Sequence, residues 1–153
     1  MAIVSNVDLI QAAESLAAAR TGALIVIMRE TDLSHIIETG DMMNAELSLR
    51  LLISIFNVTS PLHDGAAIVR GNQIVAARCV LPVSDDPDIP PELGLRHRAA
   101  LGLTEVSDAA AIVVSEETGK ISVALNGRIK RNLSGEELNQ FLSNLHLADT
   151  SLM

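Results

Sequence analysis

Aromatic side chains are nearly missing from this chain: it has no Trp and no Tyr, and Phe56 and Phe141 are its only rings. Stacking on aromatic faces can therefore contribute little to ligand binding. Cys79 is the only cysteine, which excludes an internal disulfide and fits a reducing compartment, the cytoplasm being the plain reading. Bases are outnumbered, 11 against 19 acids, and the formal charge of -8 repels nucleic acid and anionic membrane over most of the surface. A polyanionic ligand would need a local basic patch or a metal. Long apolar runs are missing too. "GALIVIM" (22–28) falls far short of the roughly 20 residues that span a bilayer, and the N-terminus has no signal-peptide pattern.

What is present is 48% apolar over 153 residues, enough for one domain with a real core built from Ala, Val, Ile, Leu and Met. The helical spacing of Val7, Ile10, Ala13 and Ala17 predicts a first helix over 6–19, and the β-branched run "ALIVIM" predicts a buried strand. Thr31 or Asp32 can cap a short helical turn that ends at Gly40, and Asn44 is a plausible cap for a second helix carrying Leu47, Leu51, Leu52, Ile55 and Phe56. Strands are expected over 66–69 and 73–81, joined at Gly71-Asn72, and over 109–115, 120–125 and 128–133, the last two joined at Asn126-Gly127. A helix is expected over 96–106. Ser134 and Glu137 form a capping box that opens a last helix. Together these predict an α/β (α+β) domain: a central mixed, largely antiparallel twisted sheet of about six or seven strands flanked by helices, with its core over about 8–145.

Three stretches concentrate reactive side chains, each at a loop boundary. "LHDGA" (62–66) pairs an imidazole and a carboxylate, groups that bind divalent metals or accept a proton from a hydroxyl, and Gly65 lets a ligand approach the backbone. "GLRHRAA" (94–100) follows a loop with four prolines and four acids (82–94), and its two guanidiniums at a helix start suit phosphate oxygens. "SEETG" (115–119) offers Glu116 and Glu117 to a Mg²⁺ or Mn²⁺ that otherwise uses phosphate oxygens and water. Each also has a purely structural reading: a D-G turn with His63 satisfied by a neighbouring carbonyl, a basic turn paired with nearby acids, and a polar hairpin turn. Jointly they are the parts for chemistry on a nucleoside triphosphate.

"PLHDGAAIV", "ELGLRHRAALGLTEVSDA" and "IVVSEETGKISVA" resemble the signature blocks of the diadenylate cyclase (DAC, DisA_N) domain, CdaA type, and "GALIVIMRETDLSHIIETG" resembles that family as well. The resemblance implies condensation of two ATP into cyclic di-AMP and two pyrophosphates across a face-to-face pair of domains, hence a homodimer or higher homo-oligomer. It implies that Asp64 activates the 3′-hydroxyl, directly or through a metal (Mg²⁺, Mn²⁺ or Co²⁺) that His63, Asp64 and Glu117 help to hold. Arg96, His97 and Arg98 would position phosphates, with Ser115 and Glu116 beside the triphosphate. Gly65 and Ala66 would lie under the ribose, and Cys79, Val80 and Leu81 would contact adenine. Two positions depart from the family pattern: Leu95 stands where many members carry Thr or Ser, and Val80 where many CdaA-type members carry Tyr. The resemblance also implies a cytoplasmic domain of a protein anchored by an N-terminal membrane segment outside this sequence, with a membrane-bound YbbR-domain regulator as a partner.

Two other functions fit parts of the pattern. A nucleotide sensor would bind ATP or cyclic di-AMP without turnover. A metal phosphohydrolase built on the His63-Asp64 doublet would need more histidines than His35, His97 and His146 supply.

Overall fold

The computed structural model describes the backbone of residues 6–151 and the side-chain environments of residues 6–145. Helix α1 (Asn6–Ala18) forms where expected but buries Leu9, Ala12, Ala13 and Leu16; of the residues whose spacing predicted it only Ala13 is buried, and Val7 is exposed, because the face turned to the sheet is offset from the one read in the sequence. Strand β1 (Ala23–Ile27) is buried at every position because both faces of the sheet are covered. Helix α2 (Ser34–Ile37) follows Asp32, whose carboxylate accepts the Ser34 N–H at 2.9 Å.

The helix expected to open at Asn44 does not. Residues 41–46 form an edge strand, β2 (Asp41–Glu46), and helix α3 (Leu49–Phe56) begins later, with the Ser48 hydroxyl accepting the Leu51 N–H at 3.1 Å. Asn44 has φ 47°, where the pairing register shifts between Met42 and Ala45. That bulge breaks the alternation by which a strand is recognised, and an edge strand facing solvent has little apolar pattern to show.

Strands β3 (Ala66–Arg70) and β4 (Gln73–Cys79) form the expected hairpin. After the acidic loop come helix α4 (Leu95–Val106), then β5 (Ala110–Val114), β6 (Ile121–Leu125) and a short β7 (Arg128–Lys130). Asn126 and Gly127 both have positive φ (54° and 74°), as a two-residue hairpin turn of the mirror-image type requires. Helix α5 (Gly135–Ser151) opens on the expected capping box: the Ser134 N–H donates to Glu137 Oε1 at 3.0 Å and the Glu137 N–H to Ser134 Oγ at 3.1 Å.

The seven strands form one sheet in the order β2-β4-β3-β1-β5-β6-β7, with β1 and β3 parallel and every other pair antiparallel. It separates two cores. Leu9, Leu52, Phe56 and Leu138 from α1, α3 and α5 pack on Ile25, Ala67 and Ile112, while Ile36, Ala100 and Leu103 from α2 and α4 pack on Val26, Ile68 and Val113. The pairings Ala23↔Val114 and Ala66↔Cys79 bring the starts of β1 and β3 and the ends of β4 and β5 to one end of the sheet.

Candidate active site

At that end lies a cleft of about 630 Å³, roofed by the first turns of α4. The β3–β4 hairpin lines it with Asp64, Gly65, Arg78, Cys79, Val80 and Leu81. Helix α4 adds Leu95, Arg96 and His97, and the turn after β5 adds Ser115, Glu116 and Glu117. Three chain segments far apart in sequence thus meet at one cleft.

Each segment is held by its local chemistry. Gly65 has φ 117°, and a Cβ there would meet the Cys79 carbonyl oxygen at 2.8 Å, so only glycine lets the two ends of the hairpin close. Asp64 beside it is exposed, with no side-chain partner among the described residues. The Ser115 hydroxyl accepts the N–H groups of Glu117 and Thr118, each at 3.2 Å, which folds the turn and presents Glu116 and Glu117 outward. Arg96 Nη1 lies 3.6 Å from Glu116 Oε1, an ion pair that links α4 to this turn.

The "RHR" triplet divides, as successive helical residues must, each rotated by about 100° from the last. Arg96 faces the cleft. His97 also lines it but is only 8% exposed, and its buried Nδ1 has no hydrogen-bond partner. Burial, reinforced by the positive charges of Arg131 and Arg96, lowers its pKa below the usual imidazole value, so the ring is neutral at pH 7. Arg98 turns away: its Nε donates to the Leu93 carbonyl at 3.3 Å and its Nη2 to the Pro90 carbonyl at 3.4 Å, tying down the acidic loop.

His63 and Ala66 also lie outside the cleft lining. His63 Nδ1 sits 2.7 Å from the Ser60 carbonyl, the partner anticipated by its structural reading, and Ala66 is fully buried in the sheet. Cys79 is buried too, and desolvation pushes its thiol up to about 11. The Val80 N–H is already donated to Thr39 Oγ1 at 2.8 Å, so it is not free to read a base edge. Val80 and Leu95, the two departures from the family pattern, are exposed at 63% and 70%.

Glu92 and Arg78 complete the charged lining and were not anticipated. Arg78 Nε pairs with Asp41 Oδ2 at 2.8 Å, and Glu92 Oε1 pairs with Arg131 Nη1 at 3.0 Å. Four carboxylates against two guanidiniums make the lining net acidic, so the cleft is not a ready-made polyanion pocket. Among the described residues no three His, Cys, Asp or Glu side chains are grouped as a metal site. The His146 side chain lies outside the described residues, and His35 is exposed on α2, so the extra ligands of a histidine-rich phosphohydrolase are not gathered around His63.

Residues 10–129 match the family model described as "DAC: DisA bacterial checkpoint controller nucleotide-binding". The chain belongs to the DAC family. Within 123 residues this DAC domain is 53% identical to the cyclic di-AMP synthase CdaA of Bacillus subtilis (strain 168), covering 80% of this chain and 45% of that protein. The match to a diadenylate cyclase of Listeria monocytogenes serotype 1/2a (strain 10403S) has the same identity and coverage. The chain thus spans about half the length of these curated relatives. In three dimensions the domain resembles a cysteine double mutant of DacA from Staphylococcus aureus, with TM-score 0.88, 47% identity, and coverage of 90% of this chain and 91% of that one. A Bacillus cereus structure described as a hypothetical membrane spanning protein follows at TM-score 0.82 and 46% identity, covering 86% of this chain and 65% of that one.

Proposed function

We propose that this DAC domain is a diadenylate cyclase: it condenses two ATP into cyclic di-AMP and two pyrophosphates. The observation that carries the reading is the meeting of Asp64, Arg96 and the Glu116-Glu117 turn around one cleft in a chain of this family. In each of two steps a ribose 3′-oxygen forms a bond to the α-phosphorus of the other ATP. The bond from that phosphorus to the pyrophosphate oxygen breaks, and the hydroxyl proton leaves to a base. Asp64, exposed and unpartnered at the cleft, is the residue we assign to the hydroxyl. Arg96 and the backbone around Ser115 lie by the phosphates, His97 and Arg98 shape the helix turn and loop behind them, and Gly65 and Cys79 to Leu81 flank the nucleoside, with Ala66 buried beside Gly65.

The net acidic lining fits a triphosphate that arrives with a divalent cation. Mg²⁺-type ions take one or two protein carboxylates and complete their shell with phosphate oxygens and water, so the absence of a three-ligand cluster among the described residues suits them. Asp64 and Glu117 both line the cleft and are the carboxylates we assign, whereas His63, next to Asp64 in sequence, lies outside the lining with its Nδ1 at the Ser60 carbonyl. When bound, the metal neutralises charge on the phosphates during transfer. No helix among the described residues is long and apolar enough to cross a membrane. The Bacillus cereus neighbour's description supports a membrane-anchored protein of which this is the cytoplasmic domain, and the family resemblance supports a YbbR-domain partner.

The test is to incubate the purified domain with ATP and Mg²⁺, Mn²⁺ or Co²⁺ and resolve the products by chromatography. Cyclic di-AMP is expected. ADP or AMP would make it a hydrolase, and bound but unchanged ATP a sensor. Asp64→Asn should abolish product while ATP binding stays within a few-fold, since it removes a proton acceptor at little steric cost. Retained turnover in that variant would remove the role of Asp64.

A further inference from the structure

The connection from α1 to β1 contributes nothing to the cleft lining, yet it touches two of the segments that do, α4 and the turn after β5. Gly22, the last residue of that connection, is buried, and its backbone lies outside the left-handed region that demands glycine. A Cβ built on it would fall 2.5 Å from Arg96 Cζ, 2.5 Å from Nη1 and 2.9 Å from Nη2. Those guanidinium atoms are its three nearest neighbours. At Gly65 and Gly102, by contrast, the obstructing atoms are all backbone, as expected where chains pack closely. The same connection, with the last turn of α1, holds the turn after β5. Arg20 Nη1 donates to the Glu117 carbonyl at 3.3 Å, and a Cβ on Gly119 would lie 2.6 Å from the Ala17 carbonyl oxygen.

We infer that Gly22 is a positioning residue for Arg96: the space left by its missing side chain is the berth of the guanidinium, which from there reaches Glu116 and the cleft. The inference rests on the nucleotide reading of the cleft and deepens it. A methyl group at residue 22 cannot coexist with the guanidinium where it stands. Because the obstructed atoms are the far end of a flexible side chain, Arg96 swings out and the fold is retained. The sequence run "RTGALIV" thus contains a residue that acts on the site only by making room for Arg96.

The experiment uses Gly22→Ala, Arg96→Ala and the double variant, with 3′-deoxy-ATP as the probe, since it lacks the attacking hydroxyl and cannot be consumed. Calorimetric titration should show Gly22→Ala weakening binding about ten-fold, the size of one lost charge-assisted contact, with an unchanged melting temperature. In the Arg96→Ala background the same substitution should change binding by less than about two-fold, because the residue it acts through is gone. Equal weakening in both backgrounds, or unchanged affinity in Gly22→Ala, would overturn the inference, as would a crystal structure of that variant with Arg96 still over residue 22. Wild-type protein that binds the probe but makes no cyclic di-AMP from ATP would remove the cyclase function and leave the coupling between Gly22 and Arg96 standing.

Discussion

His97 carries a cost that the site pays in stability at low pH. Its folded-state pKa lies below the unfolded value of about 6.5, chiefly through burial, so the unfolded chain takes up the proton first. The contribution is fully present above about pH 6.5 and is lost as the pH falls from there through the depressed folded value. The melting temperature should therefore drop between pH 7 and pH 5, and in His97→Gln the drop should be shallower; an identical slope in the two proteins would contradict it. Cys79 gives a second check at this scale. Buried, with its thiol pushed up to about 11, it should resist alkylation in the native protein and react fully in denaturant, so its labelling rate reports opening of the β4 end. What the sequence could not show about these residues is direction. "RHR" reads as three equivalent candidates, whereas the helix aims Arg96 into the cleft, buries His97 and turns Arg98 onto the Pro90 and Leu93 carbonyls.

Among the elements, those with strong local chemistry were legible. The β3–β4 hairpin follows from Gly71-Asn72, the β6–β7 hairpin from Asn126-Gly127, and α5 from its capping box. Ser134→Ala removes one half of that box and should cost about 1 kcal/mol in urea unfolding with activity unchanged, since α5 lies on the sheet face away from α4. Strand β2 was not legible because its pattern is set by partners rather than by its own residues: it is an exposed edge, bulged at Asn44, and paired only with β4. The berth at Gly22 and the pairs of Glu92 with Arg131 and Arg78 with Asp41 were hidden for the same reason. Each joins residues more than 30 positions apart.

At the scale of the whole molecule, the size of the cleft decides how many substrates one chain can present. About 630 Å³ falls within the roughly 300–1,000 Å³ typical of a site for one small molecule, and the proposed reaction needs two ATP joined at both ends. The cleft is open, and Asp64, Val80, Glu116 and Glu117 on its lining are exposed, so the reacting face of a bound nucleotide can meet another copy. We propose that two chains, each holding one ATP, supply the two substrates. Specific activity should then rise with protein concentration, nearly in proportion below the dissociation constant of the pair, and level off above it. Mixing Asp64→Asn with wild type should depress activity beyond simple dilution, because a mixed pair completes only one of the two bonds. A constant specific activity over a hundred-fold dilution, in a sample that sedimentation shows to be monomeric, would mean that one chain suffices and would overturn the paired mechanism.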